Sequence, residues 1–325
     1  MKRNWRSENG SYRILGIAVL CLTLLAGLSS CSNGGGDGGG SLLPPTVVNS
    51  LLDDASPPAG TVTLRSALAD ASPGQRITFD PTLNGGTISL VFVGEEHTVL
   101  IGEVMGFDDA NNISYLVGYF DRDYGKSALF ADMDVVIDAS NLPDGITLSW
   151  DGAEAARVLA VSGDLYLANV TITGGNIAFD VAADVGQHPD DNQTSTLARG
   201  AGIAVWGVAN LVDCTIYDNH GVGDDADTSR DGGAYGGGVY ADTVVMDGCI
   251  VSGNSIVGGG AAGGGVFSVG GRGTGVDTST IRSSSISENR IAGLFAYGAG
   301  VYSDGGGIGL STRIHVENST IARNL

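Results

Sequence analysis

Four short segments in the second half of the chain share one pattern, and their spacing constrains the fold more than any other feature. Each segment ends in an asparagine, namely Asn219, Asn254, Asn289 and Asn324, and each asparagine follows the previous one by 35 residues. An aliphatic residue lies three positions earlier, and a small residue, Cys or Ser, lies five positions earlier. Recurrence at a fixed period of this length is typical of a solenoid.

The alternation inside each segment predicts β-strands. Small or aliphatic residues alternate with polar ones, as in a strand that buries one face. One such coil cannot cover its own apolar face, whereas coils stacked at the ~4.8 Å spacing of a sheet bury a continuous core. We therefore expect the four asparagines to form a vertical ladder, at left-handed backbone positions and with side chains hydrogen-bonded along the stack.

One repeat carries a more specific resemblance. Gly-Gly-Gly-Val-Tyr at 236–240, followed by Cys-Ile-Val-Ser-Gly-Asn at 249–254, resembles the repeats of polymorphic outer-membrane proteins and related right-handed β-helix proteins. The match covers residues 200–325 well. The resemblance implies an all-β, right-handed parallel β-helix of the pectate-lyase-like type, carried on a bacterial surface.

The upstream part is similar to the start of the same class. Residues 63–68 predict a short amphipathic helix, and the resemblance implies that it caps the first coil. A cap is needed because a bare coil exposes both its core and an unpaired edge. Residues 94–130 fit no coil and predict an insertion, such as a β-hairpin, within a β-helix over 46–325. Because Leu325 falls within a repeat, we expect a fragment or an early stop, with an exposed last coil.

Residues 1–30 read as a signal peptide. Basic residues precede an apolar run from Ile14 to Leu28, and its 15 residues are few for a permanent membrane helix. The run ends in Leu-Ser-Ser-Cys, which resembles the lipobox of bacterial lipoproteins and implies cleavage before Cys31 and a diacylglycerol on its sulfur. Ser32, where Asp would signal retention, implies delivery to the outer membrane. Residues 31–45 are rich in glycine and predict a flexible tether.

Charge and cysteine content limit the function classes. Without the leader the chain has 12 basic and 35 acidic side chains, a formal charge of −23. Such a surface repels phosphate backbones, so nucleic acid is not expected as a partner. Cys214 and Cys249 fall in one column of the repeat, where same-column geometry suits a disulfide poorly. Stacked, buried thiols are therefore predicted.

An acidic loop is the candidate for a metal site. Asp224, Asp225, Asp227 and Asp231 lie within eight residues and offer oxygen ligands suited to Ca²⁺, the one cofactor that the sequence suggests. Their spacing is not that of an EF-hand. The alternative interpretation is a solvated loop whose charge serves solubility.

Three aromatic residues are candidates for carbohydrate contact. Tyr240, Phe267 and Tyr302 each follow a Gly-aliphatic pair in consecutive repeats. If the aliphatic residue points inward, the ring points outward, and three such rings would form a ladder on which sugars could stack. The alternative is that the rings cover the solenoid surface beneath loops.

The sequence contains no recognisable set of catalytic residues. Parallel β-helices include pectate lyases and polygalacturonases, but a fold does not establish an activity. Asn219-His220-Gly221 precedes Asp224-Asp225 in the reverse of the polygalacturonase order, and its other elements are missing. We interpret the segment around His220 as a polar turn and assign no catalytic residue.

The leading hypothesis is a non-catalytic, lipid-anchored surface protein for adhesion or recognition. It would bind the membrane through its lipid and a host-surface, protein or polysaccharide ligand through its loops and one lateral face. The alternative is a lipoprotein that binds or degrades polysaccharide, as a lyase or hydrolase. A purely structural envelope role is a third hypothesis.

Overall fold

The computed structural model describes residues 44–94, 98–108, 113–123, 126–178, 198–223, 233–270, 277–304 and 312–325. Over these residues the chain is a parallel β-helix with one short α-helix near its start. The predicted all-β solenoid is therefore confirmed, and its coils are those that the asparagine spacing predicts.

The elements of the upstream half follow in chain order. They are β1 (Thr46–Val48), α1 (Leu64–Ala69), β2 (Arg76–Phe79), a 3-10 helix (Pro81–Leu83), β3 (Thr87–Leu90), β4 (Thr98–Asp108), β5 (Ile113–Asp123), β6 (Ser127–Ala131), β7 (Val135–Asp138), β8 (Ile146–Trp150), β9 (Arg157–Val161), β10 (Leu165–Ala168), β11 (Val170–Thr173) and β12 (Asn176–Ala178).

The downstream half contains strands only, among the residues described there. They are β13 (Ala198–Arg199), β14 (Ile203–Val212), β15 (Thr215–Tyr217), β16 (His220–Val222), β17 (Ala234–Tyr235), β18 (Val239–Asp247), β19 (Ile250–Ser252), β20 (Ser255–Val257), β21 (Gly260–Ala262), β22 (Val266–Ser268), β23 (Asp277–Arg282), β24 (Ser285–Ser287), β25 (Arg290–Ala292), β26 (Phe295–Tyr297), β27 (Val301–Ser303), β28 (Thr312–Glu317) and β29 (Thr320–Ala322).

Strands from successive coils pair in parallel. The described strands form a twelve-stranded sheet, a seven-stranded sheet and two four-stranded sheets along the solenoid, besides the β4–β5 pair. In the seven-stranded sheet the order is β3-β8-β11-β15-β19-β24-β29. Its inward column, Ile172, Ile216, Val251 and Ile286, has no exposed surface, because each side chain lies between its counterparts in adjacent coils.

Single residues with left-handed backbone conformation turn the chain between sheets. Those before the seven-stranded sheet include Asp213, Gly248, Ser283 and Asn318, and those after it include Asp218, Gly253, Glu288 and Arg323, with φ between 49° and 68°. The ladder asparagines are absent from this set, so their predicted left-handed position is wrong. Each asparagine instead comes directly after the left-handed residue, which turns its side chain into the interior.

The predicted capping helix is present as α1. Thr63 is its N-cap, and Thr63 and Ser66 bond each other's backbone amides in a capping box. The helix buries Leu64, Ala67 and Leu68 against the first coils, and Arg65 forms an ion pair with Asp53 at 2.6 Å. The packing of α1 on the first coils removes the apolar end of the solenoid from water.

The insertion is shorter than predicted. Strands β4 and β5 pair antiparallel, as in the expected hairpin, but β6 pairs in parallel with β9. Residues 127–130 therefore belong to a coil rather than to the predicted 94–130 insertion, because β6, with four of its five residues buried, joins the twelve-stranded sheet beside β9. At the other end Ile321 is 46% exposed, whereas Ile286 one coil above it is fully buried.

Asp138 provides a pH-dependent contact between early coils. Burial acts to raise its pKa, but hydrogen bonds from Ser140 and Arg76 and the Arg76 charge hold that pKa below its ordinary value. The folded state then binds a proton less readily than the unfolded chain, so this contribution to stability is present above the ordinary Asp pKa and lost as the pH falls through the lowered one. We expect Asp138→Asn to lose less stability than the wild type between neutral pH and about pH 3. Urea unfolding at a series of pH values measures this, and parallel curves for the two proteins would contradict it.

Candidate functional site

The four predicted ladder asparagines lie in one column and are bonded to one another. Nδ2 of Asn219 donates to Oδ1 of Asn254 at 2.9 Å, Asn254 donates likewise to Asn289 at 2.9 Å, and Asn289 to Asn324 at 3.0 Å. Each acceptor oxygen also receives the backbone N–H of the asparagine above it, at 3.0–3.1 Å. The first three are fully buried. This ladder is structural, since its polar atoms are used within the chain.

A glycine column packs directly against the ladder. A Cβ atom on Gly238 would lie 2.7 Å from the carbonyl oxygen of Gly265 and 3.0 Å from Nδ2 of Asn254. Gly202 and Gly265 meet the coil below them and their own asparagine in the same way. The Gly-aliphatic motif therefore exists because stacked coils leave no room for a side chain beside the ladder.

The two cysteines form a second interior column. Both are buried and unbridged, and the amide of Cys214 donates to Sγ of Cys249 at 3.4 Å. Ser284 continues the column by accepting from the Cys249 amide at 3.1 Å. A hydrogen bond with Cys249 and burial raise the pKa of the Cys214 thiol. The predicted stacked thiols are confirmed, and they act as interior packing groups.

The aromatic ladder exists, but Tyr240 and Phe267 do not face solvent, so their predicted role in carbohydrate contact is wrong, whereas Tyr302 is half-buried and its predicted role stays a prediction. Ring centroids of Tyr240 and Phe267 are 5.5 Å apart, and those of Phe267 and Tyr302 are 5.6 Å apart, both in stacked geometry. Tyr240 is only 3% and Phe267 only 4% exposed, beneath neighbours that include Tyr235 and Ala262. These rings belong to a small apolar cluster that is separate from the central core.

Two predicted sites fall outside the described residues. These are the lipidation site Cys31 and the acidic loop of Asp224, Asp225, Asp227 and Asp231. Within the described part of the chain, no three His, Cys, Asp or Glu side chains are placed to share a metal ion. The Ca²⁺ site therefore stays a prediction.

His220 begins strand β16 and does not lie in the polar turn that the sequence suggested. Its Nδ1 is 2.7 Å from Oγ of Ser255 in the next coil, and its Nε2 is 3.1 Å from Oδ1 of Asp218. The side chains of His220 and Asp218 are 48% and 68% exposed, respectively. Bonded Asp, His and Ser side chains also occur in serine hydrolases, where catalysis needs backbone amides directed at an oxyanion in addition. Here the amide of Ser255 donates to Asn219 O at 2.8 Å instead. We interpret this contact as a surface polar column.

The outward side of the seven-stranded sheet is the candidate functional site. Its two outward columns contain Thr87, Thr147, Thr171, Thr215, Ile250, Ser285 and Thr320, and Ser89, Ser149, Thr173, Tyr217, Ser252, Ser287 and Ala322. We call these fourteen residues the hydroxyl face. Twelve of them carry a hydroxyl group and none is charged.

The hydroxyl face is unusual for this chain because the surrounding surface is acidic. Asp218 and Glu288 lie at its corners, and Asp151 accepts hydrogen bonds from Ser89 and Ser149 at 2.6 and 3.0 Å at its margin. Parallel sheets are usually covered on both sides, yet Thr87 and Tyr217 on this side are exposed, and among the fourteen residues only Thr173 is buried. An uncharged lateral surface of seven strands with many hydroxyls suits contact with another extended surface better than enclosure of a small molecule.

Sequence reasoning missed the hydroxyl face. A signal was present, since Thr87-Ile88-Ser89, Thr147-Leu148-Ser149 and Thr171-Ile172-Thr173 share one pattern. Their spacings of 60 and 24 residues differ from the later period of 35, because loops of different length separate the early coils. Only the strand pairing shows that these triplets are neighbours.

No helix in the described ranges has the length and apolar character to cross a membrane. Comparison of the chain with protein-family models, with curated proteins and with solved structures finds no match in any of the three. The function of the chain is therefore inferred from the geometry of its coils and from the hydroxyl face.

Proposed function

We propose that this chain is a lipid-anchored, non-catalytic recognition protein of the bacterial outer membrane or cell surface, and that the hydroxyl face is its contact surface. The observation that carries the proposal is the complete lack of charge at fourteen outward positions of seven adjacent strands. The mature chain has a formal charge of −23, so an uncharged lateral side is a marked departure from its surface chemistry. Depletion of charge is characteristic of the central part of interfaces.

The proposed anchor follows from the lipobox-like residues that end at Cys31. A lipid there, followed by the glycine-rich tether of residues 31–45, would hold the β-helix close to the membrane while leaving its lateral sides free to reach a target.

A cysteine-labelling experiment tests both display and contact. Thr215→Cys places a thiol on the hydroxyl face, and Thr278→Cys places a matched thiol on exposed β23 of another sheet. On intact cells a membrane-impermeant maleimide should label both variants but not the wild type, whose Cys214 and Cys249 are buried. Adhesion of these cells is then measured on a panel of glycan, protein and crystalline surfaces, ice included. On the surface that the wild type binds, a bulky maleimide at position 215 should abolish adhesion, whereas one at position 278 should not. Failure to label Thr215→Cys, or adhesion that survives its modification, would refute the proposed contact surface.

A second candidate is a polysaccharide-binding lipoprotein, and Tyr217 is the observation that favours it. This ring is 40% exposed among hydroxyl groups, and an aromatic ring beside hydroxyls is a common way to hold a sugar. Incubation of the whole chain with acidic and neutral glycans separates the alternatives. Retention that Tyr217→Ala removes would indicate binding, and release of reducing or unsaturated ends would indicate an enzyme.

A further inference from the structure

We infer that the hydroxyl face binds the surface of ice; this inference depends on the proposed contact role of that face and names its target. The hydroxyl face is periodic in two directions. Along the solenoid, neighbouring side chains repeat at the sheet spacing of ~4.8 Å, and along each strand the two columns lie ~6.6 Å apart. A surface that repeats in two directions suits a target that itself repeats in two directions, which is a property of a crystal.

The side chains determine which crystal. In the first column Thr87, Thr147, Thr171 and Thr215 occupy consecutive strands, so a side chain with one methyl group and one hydroxyl recurs at the strand spacing. The hydroxyls can replace water positions in a lattice, while the methyl groups hold neighbouring waters in ordered cages. A crystalline polysaccharide would instead be expected to require aromatic rings on several coils, and Tyr217 is the single aromatic residue among the fourteen.

Order of the side chains supports the same target. The five inner strands, β8 to β24, are held in register on both sides by parallel pairing, and the ladder asparagines fix the adjoining corner. Thr and Ser have few rotamers, and Asp151 further restrains Ser89 and Ser149. Little conformational entropy is therefore lost when such a face meets a rigid lattice.

Ice affinity of the purified whole chain tests the inference. Fluorescently labelled protein is allowed to partition into slowly growing ice, and the labelled fraction in the ice is compared with that in the remaining liquid. The wild type should be enriched in the ice, and Thr171→Lys/Thr215→Lys should lower the enrichment about tenfold, which corresponds to ~1.4 kcal/mol. Thr278→Lys adds one lysine to an exposed strand of another sheet and should have no effect.

Two further variants keep the outcome interpretable. Thr171→Val/Thr215→Val preserves shape and methyl groups but removes two of the hydroxyls, so it should lower the enrichment less than Thr171→Lys/Thr215→Lys does, and equal urea midpoints verify that every variant is folded. Exclusion of the wild type from ice, or equal enrichment of the two lysine variants, would overturn the inference. Exclusion from ice together with binding to cellulose or chitin that Thr171→Lys/Thr215→Lys removes would overturn ice as the target while supporting the proposed contact face.

Discussion

Replacement of Asn254 by alanine is expected to lower the free energy of unfolding by about 3 kcal/mol, because it leaves several buried polar groups without partners. The Oδ1 atom of Asn254 accepts the amide of Asn219 at 3.1 Å and its Nδ2 at 2.9 Å. Its Nδ2 donates to Ile216 O at 2.9 Å and to Asn289 at 2.9 Å. Alanine removes all four bonds at a position with no exposed surface.

Asn324→Ala is the matched control for the ladder. Asn324 supplies the same bonds to Asn289 and Ile286, but it is half-buried in the last coil, where water can reach the groups left behind. Urea unfolding should therefore show a smaller loss for Asn324→Ala, and hydrogen exchange at the Asn219 amide should accelerate only in Asn254→Ala. Equal losses in both variants would indicate that each asparagine acts within its own turn and not through the ladder.

Gly238→Ala is expected to destabilise the β-helix by about 2 kcal/mol, through overpacking rather than through a lost contact. The added Cβ would lie 2.7 Å from Gly265 O, which is a backbone atom of the next coil and cannot rotate away. The coils would have to separate locally, and separation would stretch the Asn254–Asn289 bond beside them.

Gly221→Ala provides the comparison for Gly238→Ala. Gly221 also lies in a strand and is buried, but its Cβ would first meet a side-chain methyl group of Ile256 at 3.2 Å, which can shift. Thermal and urea unfolding should place Gly221→Ala near the wild type and Gly238→Ala well below it. A wild-type midpoint for Gly238→Ala would show that the coils are not in direct contact at the glycine column.

The sequence alone was sufficient to predict the repeating coil of the solenoid. Asn219, Asn254 and Asn289 recur at one period because each must satisfy the same buried hydrogen bonds, and such a requirement tolerates few other residues. The helix at 63–68 could also be predicted, since the exposed end of a solenoid needs an apolar cover. These features follow from local pattern and from the period.

Only the tertiary structure decided which surfaces are free. The sequence left open whether Tyr240 and Phe267 are exposed or covered, because their burial depends on neighbours from other sheets and not on the alternation along their own strands. The left-handed residue is Asp218 and not the predicted Asn219, because a turn at Asp218 lets the side chain of Asn219 point inward. The hydroxyl face likewise depends on pairing between triplets separated by loops of unequal length. Burial and adjacency are properties of stacked coils, and a single strand specifies only which of its side chains share a side.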